Sequence, residues 1–188
     1  MKFFLDTEWA DPIGSELVSI GLVSEDGKHR FYAERTPLPE RPTDFVQHVV
    51  YPLLQGGSRS MSEMAITTGL RFFLGADQGP LVLADYHHDL VLLRYVLAGF
   101  ELPDEQASAC GPIPQVQEQI ISGGRLDQAV ESLFARSTIL RSHRHHAMCD
   151  ALVLRAGHSQ ATTFKILSKD GLLRLQTAVV SACSKSKR

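Results

Sequence analysis

The chain has 188 residues, 44% of them hydrophobic and 21% charged, with a formal net charge of -2 and a pI near 6.4. These values fit one compact domain with a full core, and they exclude a protein that coats nucleic acid by bulk positive charge, though not an enzyme that grips a few nucleotides. No run approaches the roughly 18 uninterrupted apolar residues of a membrane span, and MKFFLDTEW reaches acidic residues too early for a signal peptide. Cys110, Cys149 and Cys183 are scattered without a CxxC pair, as expected of reduced thiols in a cytoplasmic protein with no membrane partner.

Phe3, Phe4 and Leu5 read as a buried strand. Glu16 to Val23 is a second β-rich run, and the turn Glu25-Asp26-Gly27 leads into a third, His29 to Ala33. Short links make this an antiparallel meander. The proline-rich stretch Thr36 to Pro42 closes it, and Phe45, Val49 and Leu53 then keep helical spacing, with Pro52 ending that helix near Tyr51. After the breaker Gly56-Gly57-Ser58, residues 60–75 predict a helix with Ile66, Leu70, Phe73 and Leu74 on one side. Pro80 to Ala84 is a short apolar run with the signature of a buried strand, followed by the helical spacing of Leu90, Leu93 and Leu97. Residues 101–123 give no clear pattern, helices are expected over 124–136 and 145–157, and Lys185 to Arg188 form a basic tail. The order predicts an α/β fold with a mixed sheet.

Three stretches carry acids with chemical potential. Asp6 and Glu8 are two apart at the end of the first strand, where extended geometry sends both side chains to one face. Converging carboxylates repel, and a divalent cation removes that repulsion; solvated loop acids are the plain alternative. Asp85 and Asp89 lie where a buried strand turns into a helix, a favoured place for ligands, yet they also suit an N-cap and a first-turn acid. In His143-Arg144-His145-His146-Ala147-Met148-Cys149-Asp150, three histidines in four residues suggest either a zinc site or a surface cluster, but Cys149 and Asp150 fit no usual zinc spacing. Asp150 stands among small and apolar residues, where an acid is costly unless paired or bound to metal.

Asp6-x-Glu8, Asp89 and His145-x-Ala147-x-x-Asp150 resemble, in order and spacing, the three motifs of the DEDDh superfamily of 3′-5′ exonucleases. The likeness is greatest to its small single-domain, exoribonuclease-like branch of mycobacterial and phage type, where Ser19-Ile20-Gly21 also has a counterpart. It covers residues 3–160. Two departures stand out: Asp85 replaces an Asn common in relatives, and His146 competes with His145 for partnership with Asp150.

The resemblance implies a ribonuclease H-like mixed sheet flanked by helices, with an exonuclease domain over 1–165 and a C-terminal helix or tail over 166–188. It implies two Mg2+ ions, replaceable by Mn2+, held by Asp6, Glu8, Asp89 and Asp150, with His145 as general base. The expected substrate is the 3′ end of single-stranded or short RNA, hydrolysed to nucleoside 5′-monophosphates. Trp9 is a candidate for base stacking or a core or rim residue, and Arg144 is a candidate phosphate contact. The alternatives are a 3′-5′ exodeoxyribonuclease, a hydrolase of small nucleotides, and a non-catalytic nucleic-acid-binding module. A homodimer is the one protein partnership left open.

Overall fold

The computed structural model describes residues 1–163 and 167–183. The expected basic tail, Lys185 to Arg188, lies outside the described residues. Six strands form one mixed sheet in the order β4-β3-β2-β1-β5-β6. They are β1 (Lys2–Trp9), β2 (Leu17–Ser24), β3 (Arg30–Arg35), β4 (Ser60–Met61), β5 (Leu81–Ala84) and β6 (Gln117–Ile120). β1, β2 and β3 make the antiparallel meander, whereas β5 joins β1 in parallel and β6 joins β5 in parallel. The helices are α1 (Glu63–Gly75), α2 (His87–Ala98), α3 (Asp104–Ala109), α4 (Gly124–Ala135), α5 (Thr138–Ser142), α6 (Ala147–Thr163) and α7 (Lys169–Cys183). A mixed sheet flanked by helices is the expected ribonuclease H-like arrangement.

Strand alternation divides the core. Phe3 and Leu5 face Ile66, Leu70 and Leu74 of α1 and Leu93 and Val96 of α2, while Phe4 faces the layer of α4, α6 and α7. β2, the neighbour of β1, is buried along its whole length. Each such fully buried Leu, Ile or Phe contributes about 1.5–3 kcal/mol relative to exposure. On the second layer, α7 contributes Leu175, Val179 and Cys183 to the same core as α6, so residues 169–183 are an integral helix rather than a tail.

Three expectations need correction, and one segment without a sequence pattern gains its structure. Residues 60 and 61 form the short strand β4, and α1 begins only at Glu63, after Ser62 caps it by accepting from the Ala65 N–H. Over 45–53 the chain makes a π-helical turn at Val46–Val50 and a 3₁₀ turn at Tyr51–Leu53, with Pro52 accommodated in the first positions of the latter. The wider turn rotates the inward face, so Val46 and Val50 are buried while Phe45 and Val49 are exposed. Residues 101–123, which showed no pattern, contain α3 and β6; buried Arg71 fixes the first part by donating to the carbonyls of Leu97 and Ala107. Finally, α6 starts at Ala147 rather than 145 and runs to Thr163.

Candidate active site

Asp6 and Glu8 continue the Phe4 face of β1, toward α6, and Thr7 between them continues the opposite face, toward α2. Two devices bring the other acids to this strand end. Thr7 donates to Oδ1 of Asp89 twice, from its backbone N–H at 3.0 Å and its hydroxyl at 2.6 Å, which docks the first turn of α2 onto β1. On the other side, Gly21 lies opposite Asp6 in the β1–β2 ladder. A Cβ there would fall 2.6 Å from backbone atoms of Ala147 and Met148, so only glycine lets the start of α6 approach the sheet this closely.

The result is a cleft of about 210 Å³ lined by Asp6, Glu8, Asp85, Asp89, His145 and Asp150, with Trp9 and Arg144 also at its wall. Two groups of donor atoms lie side by side. Glu8, His145 and Asp150 have ligand atoms within 4.8 Å of one another, and so do Asp6, Asp85 and Asp89. All four acids expected from the sequence are therefore together, and Asp85, left outside the expected set, joins them. Its signal was present in its position directly after β5, at the strand end that leads into α2.

Burial holds all four carboxyls toward the neutral form. It is the leading cause at Asp6 and at Glu8, where the charges of Asp150 and Asp89 add to it and raise both well above the ordinary range. Asp89 is raised to about 7 by burial, against the lowering effect of the Thr7 hydrogen bonds. Asp150 is also raised to about 7 by burial, opposed by the His145 N–H and by Arg144. Oδ2 of Asp6 and Oδ1 of Asp150 are buried without a hydrogen-bond partner. Orphaned carboxylate oxygens in a cluster of like charge are the chemistry that a hard divalent cation satisfies, so the residues present fit such an ion.

The two histidines separate clearly. His145 precedes α6 in the left-handed region, with φ of 71°, and its backbone N–H donates to Oδ2 of Asp150 at 2.9 Å. Its ring lies in the cleft, edge-on to Phe45 with 4.9 Å between ring centroids. Burial, then the nearby Arg144, lowers its pKa below the ordinary histidine value. His146 is buried elsewhere. Its ring stacks on Tyr32 at 4.6 Å, and its Nε2 lies 3.0 Å from the side-chain nitrogen of Gln55, which also donates to the Ala182 carbonyl.

Trp9 is a half-buried member of a three-ring stack, 5.8 Å from Tyr86 and 5.8 Å from His88 between centroids. Arg144 makes a two-pronged contact with Glu131 at 2.6 and 3.1 Å and lies over the Phe134 ring. It borders the cleft already paired. Thr7 is the functional residue that sequence reasoning passed over, although it stood inside the Asp-Thr-Glu motif.

Among the described residues, no helix is long and apolar enough to cross a membrane. No family model, no curated protein and no solved structure matches the chain. The likeness to the DEDDh superfamily thus rests on the residues themselves.

Proposed function

We propose that the chain is a divalent-metal-dependent 3′-5′ exoribonuclease of the DEDDh type, a phosphodiester hydrolase acting on the 3′ end of single-stranded or short RNA in the cytoplasm. The observation that carries this reading is the meeting of Asp6, Glu8, Asp89, His145 and Asp150, from three separate elements and the loop before α6, in one cleft. Asp6, Glu8, Asp89 and Asp150, with Asp85 beside them, would hold two Mg2+ ions, and His145 stays outside that ligand set. When bound, those ions supply water activation and neutralisation of the charge developing on the phosphoryl oxygens.

The chain's own residues do the rest. The imidazole of His145, kept neutral near pH 7 by burial and by Arg144, accepts the proton of the attacking water. The hydrogen bond from its backbone to Asp150 fixes the ring's position relative to the acids. Trp9, backed by Tyr86 and His88, offers a rigid aromatic platform to the terminal base, and the charge of Arg144 favours approach of the phosphate. The buried reduced cysteines suit a cytoplasmic setting.

The test is a time course on matched 5′-labelled single-stranded RNA and DNA, with magnesium and with excess chelator. Stepwise shortening of RNA that requires magnesium is the expected result. Internal cuts, or equal activity in chelator, would overturn the reading, and preference for DNA would move it to an exodeoxyribonuclease.

A further inference from the structure

Another cavity, of about 340 Å³, opens at the other end of β1 from the acids. It lies between the β2–β3 turn, α6 and α7 and shares no lining residue with the acid cleft. The Glu25 N–H donates to the Lys2 carbonyl, so this turn sits beside the first residue of β1. The extended strand from Lys2 to Glu8 then separates it from the acids by about 20 Å, at roughly 3.3 Å per residue.

Three arginines line this cavity: Arg30 from β3, Arg155 from α6 and Arg174 from α7. The turn fixes two of them. Arg155 lies flat beneath Gly27, where an added Cβ would fall 3.2 Å from its Cζ and 3.4 Å from both terminal nitrogens, and its Nη1 donates to the Glu25 carbonyl at 3.1 Å. Arg30 donates from Nε to the Gly27 carbonyl at 3.1 Å and from Nη1 to the Ala178 carbonyl at 3.4 Å. Carbonyls leave the two charges uncompensated, and among the described residues neither these arginines nor the exposed Arg174 is in an ion pair. Asp26, the one acid among the described lining residues, is already taken up by the Ser24 hydroxyl at 2.6 Å, the Lys28 N–H at 3.0 Å and the Lys28 ammonium at 3.9 Å. Burial, then the charge of Arg30, lowers the pKa of Arg155 from the ordinary guanidinium value, as expected where like charges are brought together.

Three guanidinium groups around one concave space repel each other, and an anion relieves that repulsion. Their planar forks match the oxygens of a phosphate. Ala156, Leu175 and Ala178 add a small apolar floor. Such a floor suits a compact body attached to the anion, and the volume falls at the lower end of the roughly 300–1,000 Å³ typical of small-molecule sites.

We infer that this cavity binds a small phosphomonoester, its phosphate held by Arg30, Arg155 and Arg174 and its organic part against Ala156, Leu175 and Ala178. The site stands apart from the proposed nuclease chemistry and does not depend on it.

The experiment is calorimetric titration of the full chain in excess chelator, so that no metal ion can hold phosphate among the acids. Three probes are compared at constant ionic strength: inorganic phosphate, adenosine 5′-monophosphate and adenosine. The monophosphate should bind saturably and more tightly than inorganic phosphate, and adenosine should not bind. Arg174→Glu and Arg155→Met should each weaken the monophosphate about tenfold or more, the loss expected of one hydrogen bond to a charged group. Arg59→Glu, an exposed position on another element, should bind as the wild type does. Because Arg155 also anchors the turn, Arg174→Glu alone decides if Arg155→Met does not fold. Inorganic phosphate binding as tightly as the monophosphate would overturn the assignment of the apolar floor. Absence of saturable binding, unchanged affinity in Arg174→Glu, or an equal loss in Arg59→Glu would overturn the site itself.

Discussion

The backbone N–H of His145 donates to the carboxylate of Asp150, so a histidine and an acid five residues apart are held as one unit at the entrance of α6. His146, between them in sequence, points instead into the buried contact with Tyr32 and Gln55. The left-handed backbone at His145 is what sends two adjacent rings to different places.

That separation predicts different outcomes for the two substitutions. His145→Ala should lower turnover about a hundredfold or more, as for a lost general base, with little change in the melting temperature. His146→Ala should keep turnover of the folded protein within a few-fold but lose about 2–4 kcal/mol of stability, since it empties a buried, stacked ring position. Denaturant unfolding beside single-turnover kinetics checks both. A swap of the two behaviours would make His146 the base.

Asp6→Ala should reduce activity at least tenfold, the usual cost of disturbing a metal site. Magnesium should raise the melting temperature of the wild type and raise that of the variant less. Paired thermal melts with magnesium and with chelator measure this independently of turnover.

Metal-free stability should depend on pH through the buried acids. Asp89 ionises near 3.8 when unfolded and at about 7 in the folded protein, a raised value. Its favourable contribution is therefore complete below about pH 4 and is lost as pH rises through 7. Asp89→Asn keeps an oxygen to accept from Thr7 while removing the charge. It should melt several degrees above wild type at pH 8 in chelator, at roughly 2–4 °C per kcal/mol for a chain of this size, and show no advantage at pH 4. An equal gain at both pH values would mean that the charge is not the cause.

Gly21→Ala should act on the site from behind. The added methyl group meets the backbone of Ala147 and Met148 at 2.6 Å, and backbone cannot swing aside as a flexible side chain would. Overpacking of this kind costs about 1–3 kcal/mol. Because the same shift displaces Asp150 and His145, activity should fall further than stability alone explains, which parallel melts and rate measurements would reveal.

The sequence made those parts legible in which burial repeats with a regular period. Phe3-Phe4-Leu5, the run Leu17 to Val23 and Pro80 to Ala84 all became strands at or near their expected places. The acids were legible because Asp6 and Glu8 prolong the first apolar strand, Asp89 lies in the first turn of the helix after β5, and Asp150 stands among the small and apolar residues of α6. β6 was not, since all four of its residues are exposed and no apolar alternation marks it. The inward face of 45–53 was misread because a helical period was applied to a π turn. Asp85 was seen but set aside, because sequence distance cannot show that the strand end brings it to the Asp6 side of the cleft.

β6 also has a consequence for the protein's behaviour in concentrated solution. Among the described residues it is the last strand of the sheet, so its outer row of backbone donors and acceptors faces no further strand. A flat apolar border there would template fibril growth. Gln117, Glu118 and Gln119 make the border polar, and Glu118 lies 3.4 Å from Arg94 in an ion pair that edge-to-edge stacking would have to desolvate. The polar composition that hid this strand from pattern reading is thus the feature that guards its edge against aggregation.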